Sequence, residues 1–172
     1  MKSNFLILSC LIVLLSFELS HASTSQIPVA SQGETIISAT IGKMKVQVKI
    51  QTHEVQIGKS SDPKPPVYDS ESCCTYSRYP CSIVDLIKIT IDDRPLFVPR
   101  SAFCDLADLN WAEITTGQEG AVLQLSGGDA AESYKVKISF DSTAVRRRTV
   151  SSAILPDQPT EETNYFEIVI GD

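Results

Sequence analysis

The chain has 172 residues with 15 basic and 21 acidic side chains, a net charge of −6 at pH 7 with histidine neutral. Phosphate backbones need a concentrated positive footprint, so this balance speaks against nucleic acid as a partner. Five cysteines and two histidines leave little material for a metal centre or for histidine-based catalysis.

Residues 1–22 read as a signal peptide. Lys2 supplies a basic end, residues 5–15 form an apolar run too short to span a bilayer, and Ser20-His21-Ala22 offers the small residues a signal peptidase selects. Cys10 invites a lipoprotein reading, but Leu8 fits a lipobox poorly and the apolar run continues past the cysteine. No second long apolar segment follows, so no membrane span is expected, and the chain is read as exported, to the periplasm or the extracellular space. The removed piece carries one lysine and one glutamate, so the net charge does not change. About 150 residues remain, enough for one domain with a single core.

Residues 23–33, with Pro28 and Gly33, are expected to form a flexible or edge-running N-terminal arm, and residues 34–172 a single domain. Residues 34–42 are a first β-rich run, punctuated by Gly42-Lys43. Met44, Val46, Val48 and Ile50 alternate with Lys45, Gln47, Lys49 and Gln51, the pattern of a strand with one dry face. Val55 and Ile57 are out of phase with that set, which predicts a bulge or turn near residues 52–54, with His53 at the break. Residues 58–72, with Pro63, Pro65 and Pro66, read as a long exposed loop.

Residues 83–91 are the most apolar β run, turned by Asp92-Asp93 into a short strand at 96–98. One short helix is expected near 101–110, where Ser101 can cap and Phe103, Leu106 and Ala107 fall at helical spacing. Residues 111–116 are a further β run. The stretch 117–152 then reads as a three-strand meander. Ala121, Leu123 and Leu125 alternate, Gly127-Gly128-Asp129 turns the chain, Tyr134, Val136, Ile138 and Phe140 alternate with Lys135, Lys137 and Ser139, and residues 145–150 run out again. A loop over 155–163 and a last strand over 165–170 complete an all-β fold. The expectation is a single antiparallel β-sandwich, or partly open barrel, of about eight or nine strands with one capping helix.

After cleavage four cysteines remain, Cys73, Cys74, Cys81 and Cys104, an even number in an exported chain, so two disulfides are expected. A bridge between the adjacent Cys73 and Cys74 would strain the peptide between them, so each should take a different partner among Cys81 and Cys104. Zinc is the poorer reading, because the spacing lacks a C-x-x-C knuckle. The loop inside this corner carries Tyr76, Arg78 and Tyr79, residue types that give large contact area at low entropic cost, and it is the leading candidate for contact with a protein or envelope component. The competing view folds both tyrosines over the disulfides as a small core.

Arg146 and Arg148 should share one strand face, with Arg147 on the other, and could grip an anionic group; cross-strand pairing with acids such as Asp141 or Glu132 is the plainer explanation. Asp92-Asp93 and Asp129 with Glu132 could offer oxygens to calcium, though ordinary turn chemistry accounts for them, and no metal or other cofactor is expected. His53 reads as a strand-edge residue, and neither a G-x-S-x-G elbow nor an H-E-x-x-H pair is present, so no catalytic residue is assigned. The favoured function is a non-catalytic binding module. The alternatives are a small secreted hydrolase built on paired carboxylates, invisible to motif reading, and an envelope subunit that assembles by strand addition.

Overall fold

Two runs of alternating residues dictate the two sheets. In one, Val46, Val48 and Ile50 bury while Lys45, Gln47 and Gln51 stay exposed; in the other, Val136, Ile138 and Phe140 bury against the same core. A period of two puts each apolar set on one face, and each face is covered only by meeting the other. A computed structural model describes residues 25–55, 74, 80–118 and 120–166.

Among the described residues ten strands follow in order: β1 (Ile27–Pro28), β2 (Gly33–Ile41), β3 (Met44–Val55), β4 (Cys81–Ile91), β5 (Arg94–Leu96), β6 (Leu109–Thr116), β7 (Ala121–Gly127), β8 (Tyr134–Phe140), β9 (Val145–Ser152) and β10 (Pro159–Asn164). They form an antiparallel β-sandwich of a four-stranded sheet, β2-β3-β4-β5, and a six-stranded sheet, β1-β6-β7-β8-β9-β10. The expected meander is β7, β8 and β9. The core between the layers is aliphatic, with Ile37, Val48, Ile50 and Ile89 from one sheet and Ile114, Leu123, Val136 and Ile138 from the other. Burying each such side chain stabilises the fold by about 1.5–3 kcal/mol before entropy is counted.

Several details differ from the sequence expectations. The expected bulge is present, at Gln51–Thr52 in the pairing of β3 with β4, but it does not interrupt β3, which runs on to Val55. The extra residue is Asp85 on the partner strand, where the pairing steps from Gln51↔Leu86 to Thr52↔Val84. The expected helix near 101–110 is absent: a single 3-10 turn, Arg100–Ala102, leads into an irregular crossover. Phe103, Leu106 and Ala107 are buried as a helix would bury them, but there the chain lies beside the start of β4. Val84 donates to Leu106 O, Asp108 donates to Ser82 O, and the wholly buried Asp108 carboxylate accepts from Ser82 N at 2.9 Å. Strand-like pairing to β4 satisfies the backbone that helix hydrogen bonds would otherwise use. Ala107 turns its own N–H and C=O the other way, to the Tyr134 hydroxyl.

The last strand also lies earlier than expected. Residues 159–164, read as loop, form β10 on β9, and of the expected strand at 165–170, residues 167–170 lie outside the described residues. In the N-terminal arm, Ile27 and Pro28 pair with Ala112 and Trp111 at the edge of the six-stranded sheet. Asp92 and Asp93 both take positive φ, 47° and 65°, as a two-residue hairpin turn requires, and Asp92 Oδ1 accepts from Lys45 N. Asp129 caps a 3-10 turn through Ala130 N.

Candidate functional site

The disulfide corner is present in part. Cys74 and Cys81 are bridged with Cα atoms 5.7 Å apart, which ties the chain entering β4. Cys104 is exposed on the crossover, and Cys73, needed for a second bridge, lies outside the described residues, as do Tyr76, Arg78 and Tyr79.

Arg146 and Arg148 pair with acids, the plainer of the two readings, and Arg146 does so with Asp141 as expected. Pairing slips between Ser139↔Arg147 and Phe140↔Val145, so Arg146 is the extra residue of a bulge and the alternation from Arg146 to Arg148 is broken. Arg146 turns to the β8–β9 turn, where Nε donates to Asp141 Oδ2 at 2.7 Å and a second nitrogen to Thr143 Oγ1 at 2.8 Å. Burial raises the Asp141 pKa, but the hydrogen bonds from Arg146, from the Thr143 hydroxyl and from the Thr143 and Ala144 N–H groups outweigh it and hold the carboxyl well below the usual carboxylate range. Arg148 turns inward and is only 2% exposed, with its terminal nitrogens on Asp105 and Glu161, each at 2.5 Å. Arg146 and Arg148 are therefore spent on different acids.

Acid–base candidates are equally accounted for. His53 Nδ1 lies 2.7 Å from Asp85 Oδ1 on the exposed surface, and no hydroxyl or thiol among the described residues bonds to the ring. Glu54 and Asp108 line one cavity of about 320 Å³ beside Pro80 and Ser82, yet Glu54 accepts from Ser31 Oγ and Asp108 completes the pairing to β4. No group of three or more metal-ligating side chains occurs among the described residues, and no described helix is long and apolar enough to cross a membrane.

The outer face of the six-stranded sheet carries cations with no acid assigned to them, as Lys45 and Lys88 are on the other sheet, and here they converge. Its side chains lie in three rows across the strands. Trp111, Ser126, Lys135 and Ser151 form the first, Glu113, Gln124, Lys137, Thr149 and Glu162 the second, and Thr115, Val122, Ser139, Arg147 and Asn164 the third. No ion pair among the described residues involves Lys135, Lys137 or Arg147. Lys137 and Arg147, diagonal neighbours on adjacent strands, line a depression of about 200 Å³ together with Ser139, Thr149 and Gln118.

The rim of that depression is the β6–β7 turn, closed by Gly117 N donating to Gly120 O. Gly120 has φ +149°, and a Cβ there would stand 2.6 Å from Phe140 O, so only glycine lets the turn come this close to the end of β8. Two cations, two hydroxyls and an amide in one concavity make a donor-rich site for a carboxylate, sulfate or phosphate group.

Comparison with protein-family models, curated proteins and solved structures finds no match to this chain. The site therefore rests on its own geometry. The alternation that places Lys135 and Lys137 on the wet face of β8 was readable from sequence. Their convergence with Arg147 was not, because it depends on the bulge at Arg146.

Proposed function

We propose that this protein is an exported, non-catalytic β-sandwich module that binds a protein or envelope component through anionic groups on that partner. The contact is the outer face of the six-stranded sheet, centred on Lys137 and Arg147. One observation carries the reading: these two cations line a concavity with Ser139, Thr149 and Gln118, and no described acid pairs with either. A preformed cationic cleft attracts an anionic ligand and adds charge-assisted hydrogen bonds on contact. The Cys74–Cys81 bridge supports the exported location, since such bonds persist in oxidising compartments.

The test is binding of the mature chain to immobilised polyglutamate, alginate and uncharged dextran by biolayer interferometry, over a range of salt. The two anionic polymers should bind and dextran should not, and affinity should fall as salt rises. K137E/R147E should weaken binding at least about 30-fold, the loss of one to two charge-assisted bonds. Y76A/Y79A reports on the disulfide-tied loop and should leave affinity unchanged. Binding that survives the charge reversal but is lost in the tyrosine variant would move the contact to that loop and overturn this proposal.

A further inference from the structure

Trp111, the only tryptophan, is 43% exposed in the first row of the same face. It points outward because of a defect in the pairing. The register steps from Leu109↔Gly127 to Trp111↔Ser126, which leaves Asn110 as an extra residue whose amide donates to Gly128 O at 2.9 Å. Strict alternation would put Leu109 and Trp111 on one face. The bulge lets Leu109, Ala112 and Ile114 all bury while Trp111 and Glu113 face water.

An indole held in this way is a flat apolar platform, and what surrounds it is polar. Gln26, Glu113, Gln124, Ser126 and Lys135 line a shallow hollow of about 80 Å³ with it. A ring face flanked by amides, a hydroxyl and charged groups suits the two faces of a pyranose, whose C–H side stacks on an aromatic ring while its hydroxyls hydrogen-bond around the edge.

Strand geometry sets the spacing of the two hollows. From Trp111 on β6 to Arg147 on β9 is three strand steps across and four residues along, about 20 Å corner to corner, the length of roughly four pyranose rings. Lys135 and Lys137 lie between. The charges on the face, Lys135, Lys137 and Arg147 against Glu113 and Glu162, leave only a small positive excess, which fits a chain with one charge per sugar better than one with several sulfates per sugar.

From these observations we infer that the ligand is an acidic polysaccharide of the uronate type. One sugar stacks on Trp111, and a carboxylate about four residues along the chain enters the Lys137–Arg147 cleft. The inference rests on the anionic-face reading above and supplies its ligand class.

Calorimetric titration with alginate oligomers of two, four and six residues, with polyglutamate of matched charge as the peptide control and dextran sulfate as the dense-charge control, tests it. Affinity should rise at least about tenfold from dimer to tetramer and little beyond, as the second hollow is reached. W111A should lose about tenfold on the tetramer, W111F should restore most of it, and neither should alter polyglutamate binding. The exposed position of Trp111 allows both variants to fold, which an unchanged thermal midpoint checks. Equal affinity for polyglutamate and alginate with no effect of W111A would overturn the sugar assignment while leaving the anionic face standing, and tighter binding of dextran sulfate than of alginate would overturn the uronate assignment. Absence of binding to every anionic polymer would overturn both readings.

Discussion

Replacing Arg148 with methionine should leave the fold about as stable as before, whereas removing its two acidic partners together should come close to unfolding it. The asymmetry follows from where the charges sit. The guanidinium is 2% exposed, while Asp105 and Glu161 are each 51% exposed. Removing the arginine returns two carboxylates to water that already reaches them. It also eliminates a buried Nε–H that has no acceptor among the described residues, a defect worth about 1–3 kcal/mol. Removal also returns the cost of desolvating the cation, several kcal/mol, and these two gains together offset two lost charge-assisted bonds, each worth about 1.5–3 kcal/mol. R148M should therefore lie within about 1 kcal/mol of the wild type. D105A/E161A leaves the guanidinium buried and uncompensated, a loss of about 3–5 kcal/mol and a fall in thermal midpoint of about 10–15 °C. Urea unfolding followed by the fluorescence of Trp111 gives both values from midpoints at constant slope. If R148M lost as much stability as D105A/E161A, the reasoning from exposure would be wrong.

Two further predictions concern single side chains. The Asp141 carboxyl titrates below its ordinary range in the folded chain, so as pH falls the unfolded chain protonates first. Its contribution is complete above about pH 5 and is lost progressively as pH drops through about 4 toward 2. D141N should be less stable than wild type by about 1–2 kcal/mol at pH 7, with the gap narrowing toward pH 2 in urea midpoints, and a gap constant with pH would refute the linkage. The Tyr134 hydroxyl donates to Ala107 O and accepts from Ala107 N at 3.2 Å, so Y134F leaves two polar groups of a buried residue without that partner. A loss of about 2–3 kcal/mol by the same measurement is expected, and a change below about 0.5 kcal/mol would show that other groups satisfy Ala107.

What could be read in the sequence was whatever a strict period of two reports. β3, β7 and β8 have one dry and one wet face, and their alternation was visible in Val46 to Ile50, Ala121 to Leu125 and Tyr134 to Phe140. β10 was hidden because an edge strand reading Pro-Thr-Glu-Glu-Thr-Asn buries almost nothing and so carries no alternation. The helix expected near 101–110 failed for the converse reason. Phe103, Leu106 and Ala107 do bury, but apolar spacing alone does not separate a helix from a crossover whose backbone bonds go to β4. The binding face was legible only by halves. Lys135 and Lys137 follow from the pattern of β8, whereas Trp111 and Arg147 are aimed by bulges at Asn110 and Arg146, and an inserted residue has no signature until its pairing partner is known.

The order of strands within the two sheets has a kinetic consequence. Apart from β1, every strand in both sheets lies beside its neighbour in the chain, so nine of the ten strands can assemble by closing adjacent hairpins. Such closures are fast where the turn is tight, and the longest of them, between β3 and β4 across residues 56–80, costs only somewhat more loop entropy. The exception, β1 on β6, spans more than eighty residues of sequence, and its two-residue ladder returns little for that closure. It is therefore the last pairing to form and the first to open. Because Pro28 is the residue it places opposite Trp111, the tryptophan side of the sheet is the part of the molecule whose completion waits for everything else.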